Sequence, residues 1–135
     1  MSESSALRTD LQTRVDAIEA GYEFMLAYAA QGLPSDVGAA NSGQLREYLR
    51  RFDEALTGLA DLYRSLITAE SRVAPEAAGG FLEVLAQDAK AAQASLCLVM
   101  AQPGISSQLV DNLNASIHVR ALLTDVFLID ELLKC

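Results

Sequence analysis

The chain has 135 residues, of which 51% are apolar and 21% charged, a composition typical of one soluble globular domain with a single core. Its formal net charge of −8 argues against nucleic acid or an anionic membrane surface as a partner, because both are bound by clustered Lys and Arg. No run of 18 apolar residues occurs and residues 1–7 lack a signal-peptide pattern, so we expect no membrane association. Two cysteines are too few for a disulfide framework, which favours a cytoplasmic location.

Three prolines, Pro34, Pro75 and Pro103, lie beside glycines or small polar residues and divide the chain into four segments. Each segment carries apolar residues at steps of three and four, the spacing of one helix face. The sequence therefore predicts a single all-α domain over residues 1–135, an up-down-up-down four-helix bundle. The predicted helices cover about 5–31, 43–71, 76–101 and 106–133.

The first predicted helix begins at an N-cap, Ser4 or Ser5, and ends before Gly32 as the C′ glycine. The following segment, 33–43, is rich in Pro, Ser, Asp, Asn and Gly, and it is longer than most connections between antiparallel helices. Loops of that length are often functional, so this segment is a candidate contact surface whose role the sequence does not assign.

The second predicted helix has the most regular pattern in the chain. Its inward stripe is Leu45, Leu49, Phe52, Leu56, Leu59, Tyr63 and Leu66. Three arginines on its outer face, Arg46, Arg50 and Arg51, have two interpretations. They form helix-stabilising pairs with Glu47 and Glu54, or they contact an acidic partner or a phosphate.

The third predicted helix carries its own inward stripe and a possible start with Pro75 in the first turn. The stripe is Leu82, Leu85, Ala89, Ala92, Leu96 and Val99. Cys97 lies within an apolar run, and we expect it to be buried as a small hydrophobe.

The fourth predicted helix has two apolar stripes. One, taken as the core stripe, comprises Val110, Leu113, Ile117, Ala121 and Leu128. The other, roughly opposite, comprises Leu122, Val126, Ile129 and Leu133. An apolar surface nearly all round a helix needs further covering, and self-association through the second stripe as a homodimer is the simplest. The alternative is a central position for this helix among the other three.

His118 is the only histidine, and it suggests an alternative function as the phosphoacceptor of a histidine phosphotransfer module. Such modules usually place Lys or Arg three residues after the histidine, whereas here Arg120 follows at two and Ala121 at three. Ala115 three residues before His118 also excludes the Glu-x-x-His pair of a dinuclear metal site.

No nucleotide, zinc or nucleophile motif is present, so the sequence predicts no catalytic residues, no cofactor and no metal. We expect a non-enzymatic protein that acts through protein–protein contacts, as an adaptor, a chaperone-like binder or a structural accessory protein. Two alternatives stay open: the phosphotransfer module above, and a bundle that binds an apolar small molecule between its helices.

Overall fold

The computed structural model describes residues 3–39, 42–70 and 74–134, with side chains at all of these except 42 and 75. In these ranges the regular secondary structure is helical and no strand occurs, so the all-α prediction is confirmed. They contain six helices rather than four. The helices are α1 (Glu3–Ala30), α2 (Ser42–Leu56), α3 (Leu59–Glu70), α4 (Pro75–Met100), α5 (Ser107–Ala115) and α6 (Ile117–Leu133).

The second predicted helix is interrupted at Gly58, which adopts φ +73° and separates α2 from α3. The left-handed conformation of Gly58 ends the helical hydrogen bonds of α2. Those of α3 begin with the bond from the Leu62 amide to the Gly58 carbonyl, at 3.0 Å. The interruption leaves the inward stripe in phase. Its seven predicted members, Leu45, Leu49, Phe52, Leu56, Leu59, Tyr63 and Leu66, are all buried.

The fourth predicted helix is interrupted at Ser116, which is extended at φ −63° and ψ 148°. Ser116 closes α5 with its amide and caps α6 with its hydroxyl, which accepts from the Val119 amide at 3.3 Å. Here the interruption changes the helical phase. The side chains of Ile117 and Leu128, predicted to face the core, are 74% and 53% exposed.

The residues predicted to form the dimer interface lie instead in the protein's own core. Leu122, Val126, Ile129 and Leu133 are each at most 2% exposed. The predicted stripes assume one continuous helix through Ser116. The extended backbone at Ser116 rotates α6 relative to α5, so the stripes do not continue across it. The assignment of these four residues to a surface is therefore corrected, and the chain itself covers this stripe.

The helices pack around one core, in which α1 lies against α2, α3 and α5, and α4 lies against α2, α3, α5 and α6. Close approach of α1 to α2 depends on Gly21, where a Cβ atom would meet Phe52 Cδ2 at 2.9 Å. No helix among the described residues is both long enough and apolar enough to cross a membrane.

Helix ends agree with the sequence in part. Gly32 has φ +66° after α1 and Pro75 opens α4, both as predicted, and Ser106 caps α5. α1 begins at Glu3, so the predicted cap at Ser4 or Ser5 is wrong, since both residues lie within the helix. The predicted end of the second helix at residue 71 lies outside the described residues.

Candidate functional site

An apolar groove lies on the surface between α4 and α6. Its volume is about 350 Å³, and its lining is Ala77, Ala78, Phe81, Leu128, Ile129, Glu131 and Leu132. Leu128 is 53% exposed and Leu132 is 60% exposed, although both are large apolar side chains. Phe127, beside Leu128 on α6, is 56% exposed, and Val84, one turn beyond Phe81 on α4, is also exposed. We call Phe81, Val84, Phe127, Leu128 and Leu132 the α4–α6 face.

Charges of both signs flank this face on α6. Arg120 near the start of the helix and Glu131 near its end are both exposed. They are separated by 11 residues, about three turns plus 20°, so they lie on nearly the same side of α6, with Phe127 between them. Glu131 also contacts Lys134 at 3.1 Å, and both side chains are largely solvated.

Two carboxyl groups meet inside the seam between the same two helices. Asp125 on α6 is 6% exposed, and its side chain lies within hydrogen-bonding reach of Asp88 on α4. No described residue donates a hydrogen bond to Asp125 Oδ2. Burial, together with the neighbouring Asp88 carboxyl, raises the pKa of Asp125 to about 7.

Sequence reasoning missed this pair, although a signal was present. Asp125 lies three residues after Leu122 and four before Ile129, and Asp88 has the same relation to Leu85 and Ala92. A charged residue at an inward position of an apolar stripe indicates a buried carboxyl that needs a proton, a cation or a donor.

Arg46 is occupied by the chain's own groups. Its guanidinium contacts the buried Asp36 carboxylate at 2.8 Å, and it donates to the carbonyls of Met100 and Gln102, both at 2.9 Å. The side chain therefore joins the start of α2 to the end of α4 and to the 33–43 loop. These contacts leave Arg46 unsuited to the predicted role of binding an acidic partner or a phosphate.

Asp36 is the buried carboxylate of the 33–43 loop, and the Ile105 amide also donates to it at 2.7 Å. Burial alone would raise the pKa of Asp36, but the hydrogen bonds from Arg46 and Ile105 outweigh it and hold the pKa below its usual value. The loop predicted as a contact surface is thus tied to the rest of the chain through Asp36.

The same end of the molecule contains a second buried polar contact set. Tyr28 donates its hydroxyl hydrogen to the Ile105 carbonyl at 2.6 Å, and the Ser107 hydroxyl donates to the Tyr28 carbonyl at 2.6 Å. Leu33 exchanges two hydrogen bonds with Ser107, each of 2.9 Å. These bonds connect α1 to the turn before α5, and they satisfy polar groups that burial would otherwise destabilise.

Arg50 and Arg51 follow the helix-pairing interpretation. Arg50 bonds to Glu47 and Glu54, and Arg51 Nε donates to Glu47 at 2.9 Å. All these groups are substantially exposed, so the pairs contribute little to stability. They do not converge with Arg46, which faces the Asp36 loop.

The remaining candidates lie apart from one another. His118 is exposed in the first turn of α6, and its role as a phosphoacceptor stays a prediction. Cys97 is exposed, so its predicted burial is wrong: Leu96 and Val99 occupy the inward positions of this turn. Within residues 3–39, 42–70 and 74–134, no group of three or more His, Cys, Asp or Glu side chains is arranged to hold a metal ion.

Comparison of this chain with protein-family models, with curated proteins and with solved structures finds no match. The function must therefore be argued from the α4–α6 face and from the carboxyl pair beside it.

Proposed function

We propose that this protein acts through protein–protein contacts, without catalysis, and that its first partner is a second copy of the same chain bound at the α4–α6 face. In this proposal the six helices serve as four rods of a bundle, with α2–α3 and α5–α6 each forming one rod. The observation that carries it is the cluster of large exposed apolar side chains on α6, Phe127, Leu128 and Leu132, next to an apolar groove.

The charge arrangement on α6 favours a second copy as the occupant. When two α6 helices pack antiparallel about a two-fold axis, the start of each lies beside the end of the other. Arg120 of one copy then faces Glu131 of the other, twice in the dimer, and the Phe127 side chains lie between the two pairs. A parallel pairing would instead place like charges together, which disfavours it.

Light scattering with size-exclusion chromatography tests the proposal. We expect the wild type to have the mass of two chains and Leu128→Glu to have the mass of one, because a buried carboxylate at the interface is costly. Leu26→Glu is the matched control, since Leu26 is an exposed leucine on α1 and the substitution adds the same charge. A monomeric wild type, or equal dissociation in the control, contradicts the proposal.

A charge exchange tests the antiparallel arrangement separately. Arg120→Glu should weaken the dimer by opposing Glu131 of the other copy, and adding Glu131→Arg should restore it. Each exposed pair contributes about 0.2–1 kcal/mol, so the two pairs should change the dissociation constant by roughly 2- to 30-fold. Failure of the double variant to recover would exclude this arrangement while leaving the contact face itself to the Leu128→Glu experiment.

A further inference from the structure

We infer that Asp88 and Asp125 form a proton-binding site in the α4–α6 seam: one proton shared between the two carboxyl groups holds the helices together, and its release at neutral to alkaline pH loosens them. The geometry carries this inference. Asp125 projects from α6 into the core, is almost completely buried, and has one oxygen without a donor. The group within reach is a second carboxyl, Asp88 from α4.

Two neighbouring carboxyl groups with no other hydrogen-bond donor need a proton between them. Two ionised carboxylates in contact repel each other, and neither can donate a hydrogen bond. With one proton between them, one carboxyl donates to the other, and the pair carries a single charge that is bonded. This is the usual solution when two carboxyl groups share a partly buried site.

Among residues 3–39, 42–70 and 74–134, the charged group that acts on Asp125 is Asp88, and no cation acts on Asp125. At three and four residues on either side of Asp125, α6 carries only apolar residues, and the same is true of Asp88 on α4. The basic residue of α4, Lys90, is exposed. α5, the other helix that packs against α6, has one charged residue, Asp111, which is exposed. α2 and α3 also pack against α4. The arginines of α2 bond to Asp36, Glu47 and Glu54. On α3, Arg64 pairs with Asp61, and Tyr63 donates to Asp130 at 2.7 Å. The elevated pKa of Asp125 is consistent with these surroundings.

The pair lies directly beside the α4–α6 face. Leu128 follows Asp125 by three residues and Val84 precedes Asp88 by four, so one helical turn on each helix separates the proton site from the face. Loss of the proton places two negative charges in the seam, and the repulsion acts to separate the helices that build the face. The consequence for self-association rests on the proposed function, whereas the proton site itself does not.

Carbon-detected NMR of the side-chain carboxyl groups, titrated from pH 4 to pH 9 in the presence of EDTA, tests the site directly. We expect a carboxyl titration with a midpoint within about one unit of pH 7 at Asp125. Asp125→Asn should abolish it, and Asp111→Asn, an exposed control, should leave it in place. Midpoints below pH 5 for every carboxyl group would overturn the inference.

Urea unfolding across the same pH range gives a second measurement. Because the folded state retains a proton that the unfolded chain releases near pH 4, the folding constant should fall by up to tenfold per pH unit between about pH 4 and pH 7, and then level off. This decline is measured relative to Asp125→Asn, which lacks the titration. A parallel pH dependence of the two proteins would contradict the shared proton.

Both titrations are repeated in Leu128→Glu, so the two proposals fail separately. A midpoint near pH 7 in a protein that is monomeric at every pH supports the proton site and overturns self-association. A dimer whose carboxyl groups all titrate below pH 5 supports self-association and overturns the proton site. If both proposals hold, the wild-type dimer should weaken between pH 6 and pH 8, and the Asp125→Asn dimer should not.

Discussion

Asp36 and Asp125 are both buried carboxyl groups, with side chains 2% and 6% exposed respectively, yet their surroundings are opposite in kind. Asp36 receives the Arg46 guanidinium and a backbone amide, so the folded state stabilises its ionised form. Asp125 receives neither a cation nor a donor at Oδ2 and meets another carboxyl, so the folded state stabilises its protonated form. Burial alone therefore does not decide whether a carboxyl group is structural or titratable near neutral pH; the groups around it do.

The difference between the two sites has opposite consequences for stability against pH. Asp36 has a lowered pKa, so the stability that it contributes is present above pH 4 and is lost as pH falls through its folded-state pKa. Asp125 has a raised pKa, so stability falls as pH rises from about 4 to about 7. Variants at the two sites can separate these contributions.

The largest effect is expected from removing the cation beside Asp36. Arg46→Met leaves the Asp36 carboxylate buried without its partner and frees the carbonyls of Met100 and Gln102. We expect a loss of about 3 kcal/mol, the lower end for a broken buried pair because the guanidinium is a third exposed. Urea unfolding at pH 7 measures it. Arg50→Met, which breaks only exposed pairs, should change stability by less than about 1 kcal/mol, and equal losses would contradict the distinction.

A smaller effect is expected from replacing Asp36 itself. Asp36→Asn keeps the size of the side chain but loses charge-assisted hydrogen bonds, at a cost of roughly 1.5–3 kcal/mol at pH 7. That deficit should shrink as pH falls below 4, because the wild-type carboxyl then becomes protonated and loses the same interactions. Unfolding measured at pH 7, 4 and 3 checks this. A deficit that is constant over that range would mean that Asp36 is not ionised in the folded protein.

The smallest effect, and one of opposite sign, is expected at the carboxyl pair. Asp88→Asn supplies an amide that donates to the Asp125 carboxylate and removes the repulsion. We expect a gain of about 1 kcal/mol at pH 8, the net value of one such hydrogen bond. The gain should diminish towards pH 5, where the wild-type pair carries its own proton. Destabilisation at pH 8 would show that the two carboxyl groups do not repel each other in the folded protein.

The helices themselves could be predicted from sequence because their apolar periodicity is a local property. Leu45 to Leu66 follow one stripe, and all seven members are buried, even across the interruption at Gly58. Steps of three and four keep that stripe in phase, and the glycine supplies the positive φ without disturbing it. The all-α class follows from four such stripes and from the absence of alternating patterns.

Helical phase across a break is not a local property. Ser116 is one of several polar residues in this part of the sequence, and nothing local marks it as a break. Its extended backbone rotates α6, so the predicted core stripe stays buried in α5 but not in α6. Leu122, Val126, Ile129 and Leu133 are therefore inside, and Ile117 and Leu128 are outside. The α4–α6 face therefore differs from the predicted interface, and Leu128 is its one member from the stripe that the sequence had assigned to the core.

The sequence by itself determined the all-α class and most of the core, because helix formation and apolar burial depend on residues three and four apart. Only the tertiary structure decided which residues from different elements come together: Asp36 with Arg46 and Ile105, Asp88 with Asp125, and Phe81 with Leu128 in the lining of one groove. Tertiary packing brings those residues together, and no spacing along the chain encodes the rotation of one helix against another. The candidate site is formed by such contacts, since the charge, burial and exposure of its residues all depend on their neighbours from other elements.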